Sequence, residues 1–387
     1  MNQIVCLSTS NYNPFPTRKQ NVMKRLKDSK VLYFDPPVTI LAPLKDRSAL
    51  KRLFAFRKEG EKVTDSVTVY AMPPVLPFYN RVRLVNRINQ RILSSYVRGK
   101  MKLHGFSEPV LWCYSPSSCD IVSEIPKRAL VYDCVDRHSA YKGMINPSVV
   151  DRMERDLAKG ADLVFSTAAG LHETLSGYNR NSVLVPNGAA YELFSKAAEG
   201  GLKVPEELSG IEGKIFGFVG MLQECINYEW LEALAKKCPG SHLVFIGRKL
   251  PGVDLSRLGN YKNVHFLGLK KQEELPKYLS RFDVCLNPFR PGSLSKDVSP
   301  LKFYEYLATG KPVVTAPEPL QVLDYKDVVY LAESEDEFIG QCLRASGEND
   351  PALRTRRMRY AKECSWDARV SRMEEELKKR GIFGAGG

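Results

Sequence analysis

Two doubly wound α/β halves, each built on a parallel sheet, are the fold class this sequence predicts. Three observations lead there. Short apolar runs alternate with helix-like segments along all 387 residues. Most of these runs are rich in Val, Ile, Leu and Phe without clean alternation, as in strands buried on both faces. A low-apolar stretch, 196–214, carries Gly200, Gly201, Pro205, Gly210 and Gly213 and separates two series of such runs.

The first series reads 4–8, 30–34, 67–71, 110–113, 129–133, 162–166 and 182–185. The second reads 215–219, 242–246, 263–267, 282–286, 312–315 and 328–331. Between 83 and 98 the spacing predicts an amphipathic helix. Arg83, Arg87, Arg91 and Arg98 fall in one sector, opposite Val85, Ile88, Ile92 and Tyr96. The run 354–359 forms a basic helix surface, and a last amphipathic helix starts at Ser365-Trp366 and continues to Arg380. The division expected from composition is therefore 1–200, 201–365 and 366–387.

Composition narrows the class. The apolar and charged fractions are those of a folded chain with a packed core. No apolar run approaches the ~20 residues of a membrane span; the stretch from Val67 to Tyr79 is broken by Pro73, Pro74 and Pro77. The N-terminus lacks the basic and apolar regions of a signal peptide. Nine scattered cysteines without a Cys-x-x-Cys pair, and five isolated histidines, point to reduced thiols in a cytoplasm and to no metal. The net charge is +13, and residues 1–102 hold 20 basic against 6 acidic residues. Such a block implies an anionic partner: nucleic acid, lipid headgroups or a lipid-linked diphosphate. The cation–aromatic mixture Leu50 to Lys58 beside the arginine helix suits an anionic bilayer surface, at roughly 1 kcal/mol per basic residue. A sheet-packing helix with a hydrated arginine face fits the same pattern. No zinc finger or RNA-binding signature accompanies the cations, so no nucleic acid is expected.

The densest chemistry is at 297–314. Asp297 and Glu305 stand eight positions apart, ahead of Gly310-Lys311-Pro312-Val313-Val314. Ser299 can cap a helix whose first position suits Pro300, Gly310 can take the left-handed stop, and Pro312 forbids continuation. Phe303, Tyr304 and Leu307 form the expected core stripe. Lys302, Glu305, Tyr306 and Thr309 form the stripe expected to face outward. Spacing alone also fits a surface helix with a weak Lys302–Glu305 pair.

This stretch resembles the signature of the group 1, or family 4, glycosyltransferases of the GT-B fold, with Asp297 where glutamate is usual. The wording from Pro300 to Leu307 is similar to a branch that includes teichuronic-acid and exopolysaccharide transferases. The resemblance extends more loosely to Val185-Pro186-Asn187-Gly188 and to Tyr132-Asp133-Cys134-Val135-Asp136. It implies two Rossmann-like domains facing a cleft, with the last helix crossing back to the first domain and Trp366 anchoring it. It implies a nucleotide sugar, UDP- or GDP-linked, as substrate rather than cofactor. The base would lie beside 265–269, at Leu267 and Leu269, and the ribose on Glu305. The sugar would lie near Asp297 and the diphosphate on the helix start at Leu301 and Lys302, where free N–H groups favour anions.

Gly220 would permit close approach after the first strand of the second half. In the family a basic pair follows that strand. Here Met221 to Asn227 contains no base, which leaves Lys302, Arg248 and Lys249 to neutralise the leaving group. On the acceptor side Asp133, Asp136 and His138 would line the cleft mouth. Asp136 is the first candidate to take the acceptor proton and His138 the second; Asp136 as a turn or cap residue is the plainer alternative. Asn187 and Gly188 would form a sharp turn facing the cleft.

The resemblance thus implies sugar transfer to a glycan or lipid-linked acceptor in bacterial surface polysaccharide synthesis. The setting would be cytoplasmic, peripheral at the inner face of the plasma membrane. An epimerase or phosphorylase of the same fold, or a basic nucleic-acid-binding protein, are the competing readings.

Overall fold

The computed structural model describes residues 1–47, 49–141, 143–290 and 295–384. The chain divides into two compact units, Met1–Val185 with Val370–Gly387, and Pro186–Arg369.

The first unit holds an eight-stranded sheet in the order β3-β4-β2-β1-β5-β6-β7-β8. Its strands are β1 Asn2–Leu7, β2 Ser29–Asp35, β3 Glu61–Lys62, β4 Val67–Ala71, β5 Val110–Cys113, β6 Ala129–Cys134, β7 Leu163–Ser166 and β8 Ser182–Leu184. All pair in parallel except β3, which is antiparallel to β4. β5 and β6 are buried at every position, which is why their sequences run apolar without alternating. The edge strand β3 escaped the sequence reading because it is two exposed charged residues, a composition that protects an edge from further pairing.

The second unit is a six-stranded, wholly parallel sheet in the order β11-β10-β9-β12-β13-β14. The strands are β9 Lys214–Val219, β10 Ser241–Ile246, β11 Val264–Phe266, β12 Val284–Asn287, β13 Val313–Thr315 and β14 Tyr330–Leu331. Strand order reverses between β1 and β5 in one sheet and between β9 and β12 in the other. Those switch points open a crevice at the carboxyl ends, where ligands of such sheets bind.

The compact units meet at Val185/Pro186, whereas composition places the boundary at 200/201. The difference has a physical cause. Phe194 and Leu208 are fully buried and join Ile215, Leu279 and Phe303 in the second core, so a polar-looking stretch is fastened by two apolar side chains. The last helix, Trp366–Lys379, starts in the second unit, with Trp366 buried and its N–H on the Ala189 carbonyl (3.0 Å). From Val370 onward it belongs to the first unit, where Glu374 accepts the Lys27 N–H (2.5 Å) and Met373 meets Arg18.

The helix Arg83–Leu103 corrects the amphipathic assignment. Its buried face is Asn86, Asn89, Gln90, Leu93, Ser94, Val97 and Met101, while Leu84, Ile88 and Ile92 are exposed at 64%, 42% and 49%. Carboxamides can be interior here because they are bonded. Asn86 donates to the Ser117 carbonyl (2.8 Å), and Asn89 exchanges both bonds with the Leu76 backbone (2.9 and 3.0 Å). The arginines are also engaged. Arg83 lies between Asp120 (2.9 Å) and Asp156 (2.5 Å), Arg87 is 3.8 Å from Asp120, and Arg91 and Arg98 reach Glu124.

Candidate active-site residues

In the second unit the loops after β9 and β10 press together. Gly247 has a φ of +151°, and a Cβ on it would lie 1.8 Å from the Gly220 carbonyl oxygen, so Gly247 cannot be replaced without moving backbone, while a Cβ on Gly220 would press on the Phe218 ring at 3.1 Å. Gly220 N–H bonds Ile246 O (2.9 Å), and Leu222 and Leu250 close a ladder onto Arg248 and Leu222 carbonyls (3.0 Å each). Gly220 is thus held by packing as well as placed at the carboxyl edge. The same ladder presents Arg248 and Lys249 exposed, without an ion pair among the described residues. Leu267 is half-buried and Leu269 is 55% exposed just beyond β11.

The segment Met221–Asn227, which lacks a base, is fixed by buried Leu222 and Ile226 and by Asn227, whose carboxamide caps the helix Tyr228–Lys237. A base does reach this edge. The Arg290 backbone N–H bonds the Cys225 carbonyl (2.6 Å), and its exposed guanidinium lies 3.8 Å from Glu229, just past the segment. Sequence reasoning overlooked it because it follows a different strand.

The helix Leu301–Ala308 departs from the expectation of one outward stripe. Glu305, Tyr306 and Thr309 are buried like Phe303, Tyr304 and Leu307. The reason is that Tyr306 reaches β9, accepting from Val219 N–H (2.7 Å), so both faces pack. Glu305 is wholly inaccessible. Lys302 Nζ lies 2.5 Å from its Oε2, and Gln272 Nε2 donates to its Oε1 (3.1 Å). Gln272 carries no signal in the sequence. Lys302 also sits 5.6 Å over the Phe194 ring.

Ser299 is not the cap. Pro300 takes the cap position without a side-chain bond, and the Ser299 hydroxyl instead accepts the Asn187 N–H (3.0 Å). Leu301 and Lys302 N–H groups are left without an intrahelical partner, as at any helix start. Asp297 is buried just upstream. Gly310 takes the left-handed stop at φ +70°.

Asn187 and Gly188 fall in this second unit, not with the first. The Asn187 amide donates to the Ser299 carbonyl (2.9 Å), and its buried Oδ1 has no partner. A Cβ on Gly188 would lie 2.8 Å from the Cys364 carbonyl, so close backbone packing, rather than a left-handed turn, requires the glycine.

The first unit brings a second set together. At the carboxyl ends of β1, β2, β5 and β6 lies a cavity of about 380 Å³ lined by Lys19, Asp35, Asp136, His138 and Tyr141 among others. His138 is buried and its Nε2 has no partner. Burial first, and the Lys19 ammonium second, push it down to about 4, while a bond to the Tyr114 backbone opposes them, so the ring is neutral at pH 7.

Asp136 is exposed and accepts the Tyr141 hydroxyl (2.9 Å). Although its residue keeps solvent access, the surrounding protein desolvates the carboxyl and raises its pKa. Burial lowers Lys19, against the opposing pull of Asp136 and Asp133, and raises Asp35 to about 6. Neither Lys19 nor Asp35 was legible, since both sit in ordinary-looking sequence.

Asp133 corrects a further expectation. It is wholly buried, and both its oxygens lie 3.0 Å from Arg18 Nε. It is part of the core, not of a cleft mouth.

Two Rossmann-like units in tandem, joined by a last helix that passes from the second to the first, define a GT-B fold. Solved structures agree along nearly the whole chain. A sucrose-phosphate synthase from Thermosynechococcus elongatus has a TM-score of 0.73 at 14% identity, covering 99% of this chain and 100% of that one. A trehalose-6-phosphate structure from E. coli bound with UDP-2-fluoro glucose gives 0.70 at 13%, covering 98% and 99%. Anabaena HepE in complex with UDP gives 0.66 at 16%, covering 98% and 100%.

Within this fold, residues 213–346 match the family described as Glycosyl transferases group 1. A Bacillus subtilis protein, TuaH, named as a teichuronic acid biosynthesis glycosyltransferase, is 27% identical over 257 residues. The match covers 62% of this chain, and the chain spans 64% of that relative's length.

Proposed function

We propose that the protein transfers a sugar from a nucleotide-sugar donor to a glycan or lipid-linked acceptor in the synthesis of a bacterial surface polysaccharide. The observation that carries this reading is the Glu305 cluster. A carboxylate fully removed from water, gripped by Lys302 and Gln272 at the carboxyl edge of a doubly wound sheet, is costly to bury for stability alone. It lies inside the stretch that matches group 1, with Asp297 and the free N–H groups of Leu301 and Lys302 on the same segment and the orphan Asn187 Oδ1 held against Ser299 beside them. In this reading Glu305 holds the ribose and Asp297 the sugar. The helix start with Lys302, Arg248, Lys249 and Arg290 takes up charge developing on the leaving diphosphate, with no metal required. The UDP in the HepE structure and the UDP sugar in the E. coli structure support a uridine donor, with a GDP sugar as the second choice.

Replacing Glu305 with alanine is expected to weaken UDP-sugar binding by about 10- to 150-fold, the loss of one charge-assisted hydrogen bond. Calorimetry with UDP and its sugar conjugates checks this. Undiminished affinity in a folded variant removes the assignment. Incubation with donor alone separates transfer from epimerisation, which would convert the sugar without acceptor.

The acceptor belongs, in this reading, to the cavity of the first unit. His138 Nε2 is preferred to Asp136 as the proton acceptor, because its lone pair is unoccupied while Asp136 already holds the Tyr141 hydroxyl.

A peripheral membrane position fits the first unit through apolar side chains more than through arginines. No described helix is long and apolar enough to cross a membrane. Leu84, Ile88 and Ile92 form one exposed row, spaced four residues apart. Near it lie exposed Ile40 and Leu41, with the Ile40 N–H on the carbonyl of Val75, next to the Leu76 backbone that Asn89 fastens. Exposed Phe54 follows, with Arg57 over its ring (5.3 Å) and Phe56 against Tyr96 of the same helix. Exposed Lys51, Arg52 and Lys58 add anion attraction at the rim.

Changing Leu84, Ile88 and Ile92 together to serine is expected to lower sedimentation with anionic vesicles by more than about tenfold. Neutralising Arg87 and Arg91 is expected to do less, because both already face Asp120 or Glu124. Equal sedimentation of the serine variant and the parent would remove this face from the reading.

A further inference from the structure

We propose that a cavity of about 590 Å³ at the amino-terminal edge of the second sheet is a binding site for a phosphate-bearing small molecule, separate from the donor cluster. The cavity is lined by Lys214 at the start of β9, Asp283 just before β12, and Lys311 and Pro312 just before β13. The donor cluster lies at the other end of those strands. β9 alone has six residues, which puts roughly 20 Å between the two edges.

Charge is what marks the place. Four cations line it, Lys214, Arg281, Lys311 and Arg354, and three carboxylates, Asp283, Glu348 and Asp350. The carboxylates are committed. Asp283 takes Lys214 (3.1 Å) and Arg281 (3.8 Å) and accepts the Ile215 N–H (2.9 Å). Glu348 is held by the fully buried Arg357 (2.6 Å to Nη1), and Asp350 caps the helix Pro351–Glu363 through Ala352 N–H (2.8 Å). Lys311 and Arg354 therefore have no acidic partner among the described residues.

Both cations are placed by the fold. Arg354 lies across Gly310, where a Cβ would come within 2.7 Å of its Cγ, and its guanidinium donates to the Ala198 carbonyl. Lys311 is half-buried on the next residue; burial chiefly lowers its pKa, with Cys285 and Asp283 opposing and the nearby Arg354 and Arg281 adding to the fall. A phosphate group supplies the missing charge and enough acceptor oxygens for a guanidinium and an ammonium together. The cavity admits a ligand larger than a lone phosphate. Thr309, Gly310 and Lys311, which close the helix bearing Lys302 and Glu305, form part of its wall.

The test is calorimetric titration of inorganic pyrophosphate into the full chain, against sodium chloride at matched ionic strength. Saturable binding is expected in the parent. It should weaken by roughly tenfold or more in Lys311→Met and in Arg354→Gln, and persist in Lys302→Met. Arg354 is exposed, so its variant keeps the test valid if Lys311→Met fails to fold. No saturable binding beyond the chloride control, unchanged affinity in Arg354→Gln, or a loss confined to Lys302→Met overturns the proposal. None of these outcomes depends on Glu305 binding a nucleotide sugar.

Discussion

Replacing His138 with glutamine is expected to lower turnover by about 10²- to 10⁴-fold, the usual contribution of a positioned general base, while leaving UDP affinity unchanged. The expectation follows from where the proton can go. In a direct displacement that inverts the anomeric centre, the acceptor hydroxyl loses its proton as its oxygen bonds the sugar carbon and the diphosphate departs with the bond's electrons. Asp136 is exposed and already takes a hydroxyl hydrogen bond from Tyr141; His138 is buried, neutral and unpartnered at Nε2. Glutamine preserves size and polarity but does not take the proton.

The pH dependence gives a second readout. Burial lowers the folded-state His138 to about 4 from the ordinary 6.5, so the ring stays a base down to that pH and the acid limb of the rate should lie near 4. Between those values the unfolded chain binds the proton first. The stability contributed by the neutral ring is therefore complete above about 6.5 and shrinks as pH falls toward 4. The glutamine variant should lose that dependence. A variant with parental turnover at pH 7 would assign the proton elsewhere, to the leaving phosphate of a retaining transfer or to Asp136.

How far the sequence discloses such a site depends on what kind of signal marks each residue. Parallel strands buried on both faces announce themselves as continuous apolar runs, and thirteen of the fourteen strands among the described residues lie within or beside the segments so read. Helix start and stop signals frame Glu305, Lys302 and Asp297 in a short interval, so the sequence offers them as candidates. Gln272 and Arg290 are not offered, since they join the same edge from separate loops. Periodicity misled for two helices. The buried face of Arg83–Leu103 carries hydrogen-bonded carboxamides, which an apolar moment counts as outward. Leu301–Ala308 is buried on both sides, so no stripe faces solvent. Asp133 shows the same limit: a carboxylate at a strand end reads as a site, and only the structure brings Arg18 to it across 115 residues.

That pair yields the largest expected change in stability. Asp133→Ala should destabilise the first unit by about 3–5 kcal/mol, because it takes from the buried Arg18 guanidinium the carboxylate that both its Nε contacts rest on. At about 2–4 °C per kcal/mol for a unit of this size, the melting midpoint should fall by roughly 6–20 °C. The surroundings give little relief: side-chain exposures are 3% for Arg18 and 0% for Asp133. The guanidinium also donates to the Val185 carbonyl (2.9 Å) and meets the Met373 sulfur (3.7 Å), neither of which carries charge.

The companion variant decides whether the pair or its geometry matters. Changing Arg18 to methionine and Asp133 to leucine together removes both charges and refills most of the volume, and should recover most of the lost stability. Recovery identifies an ion pair whose value is mutual. If the double variant is as unstable as Asp133→Ala, the cost lies in the contacts of Arg18 with Val185 and Met373, where the last helix is fastened to the first sheet.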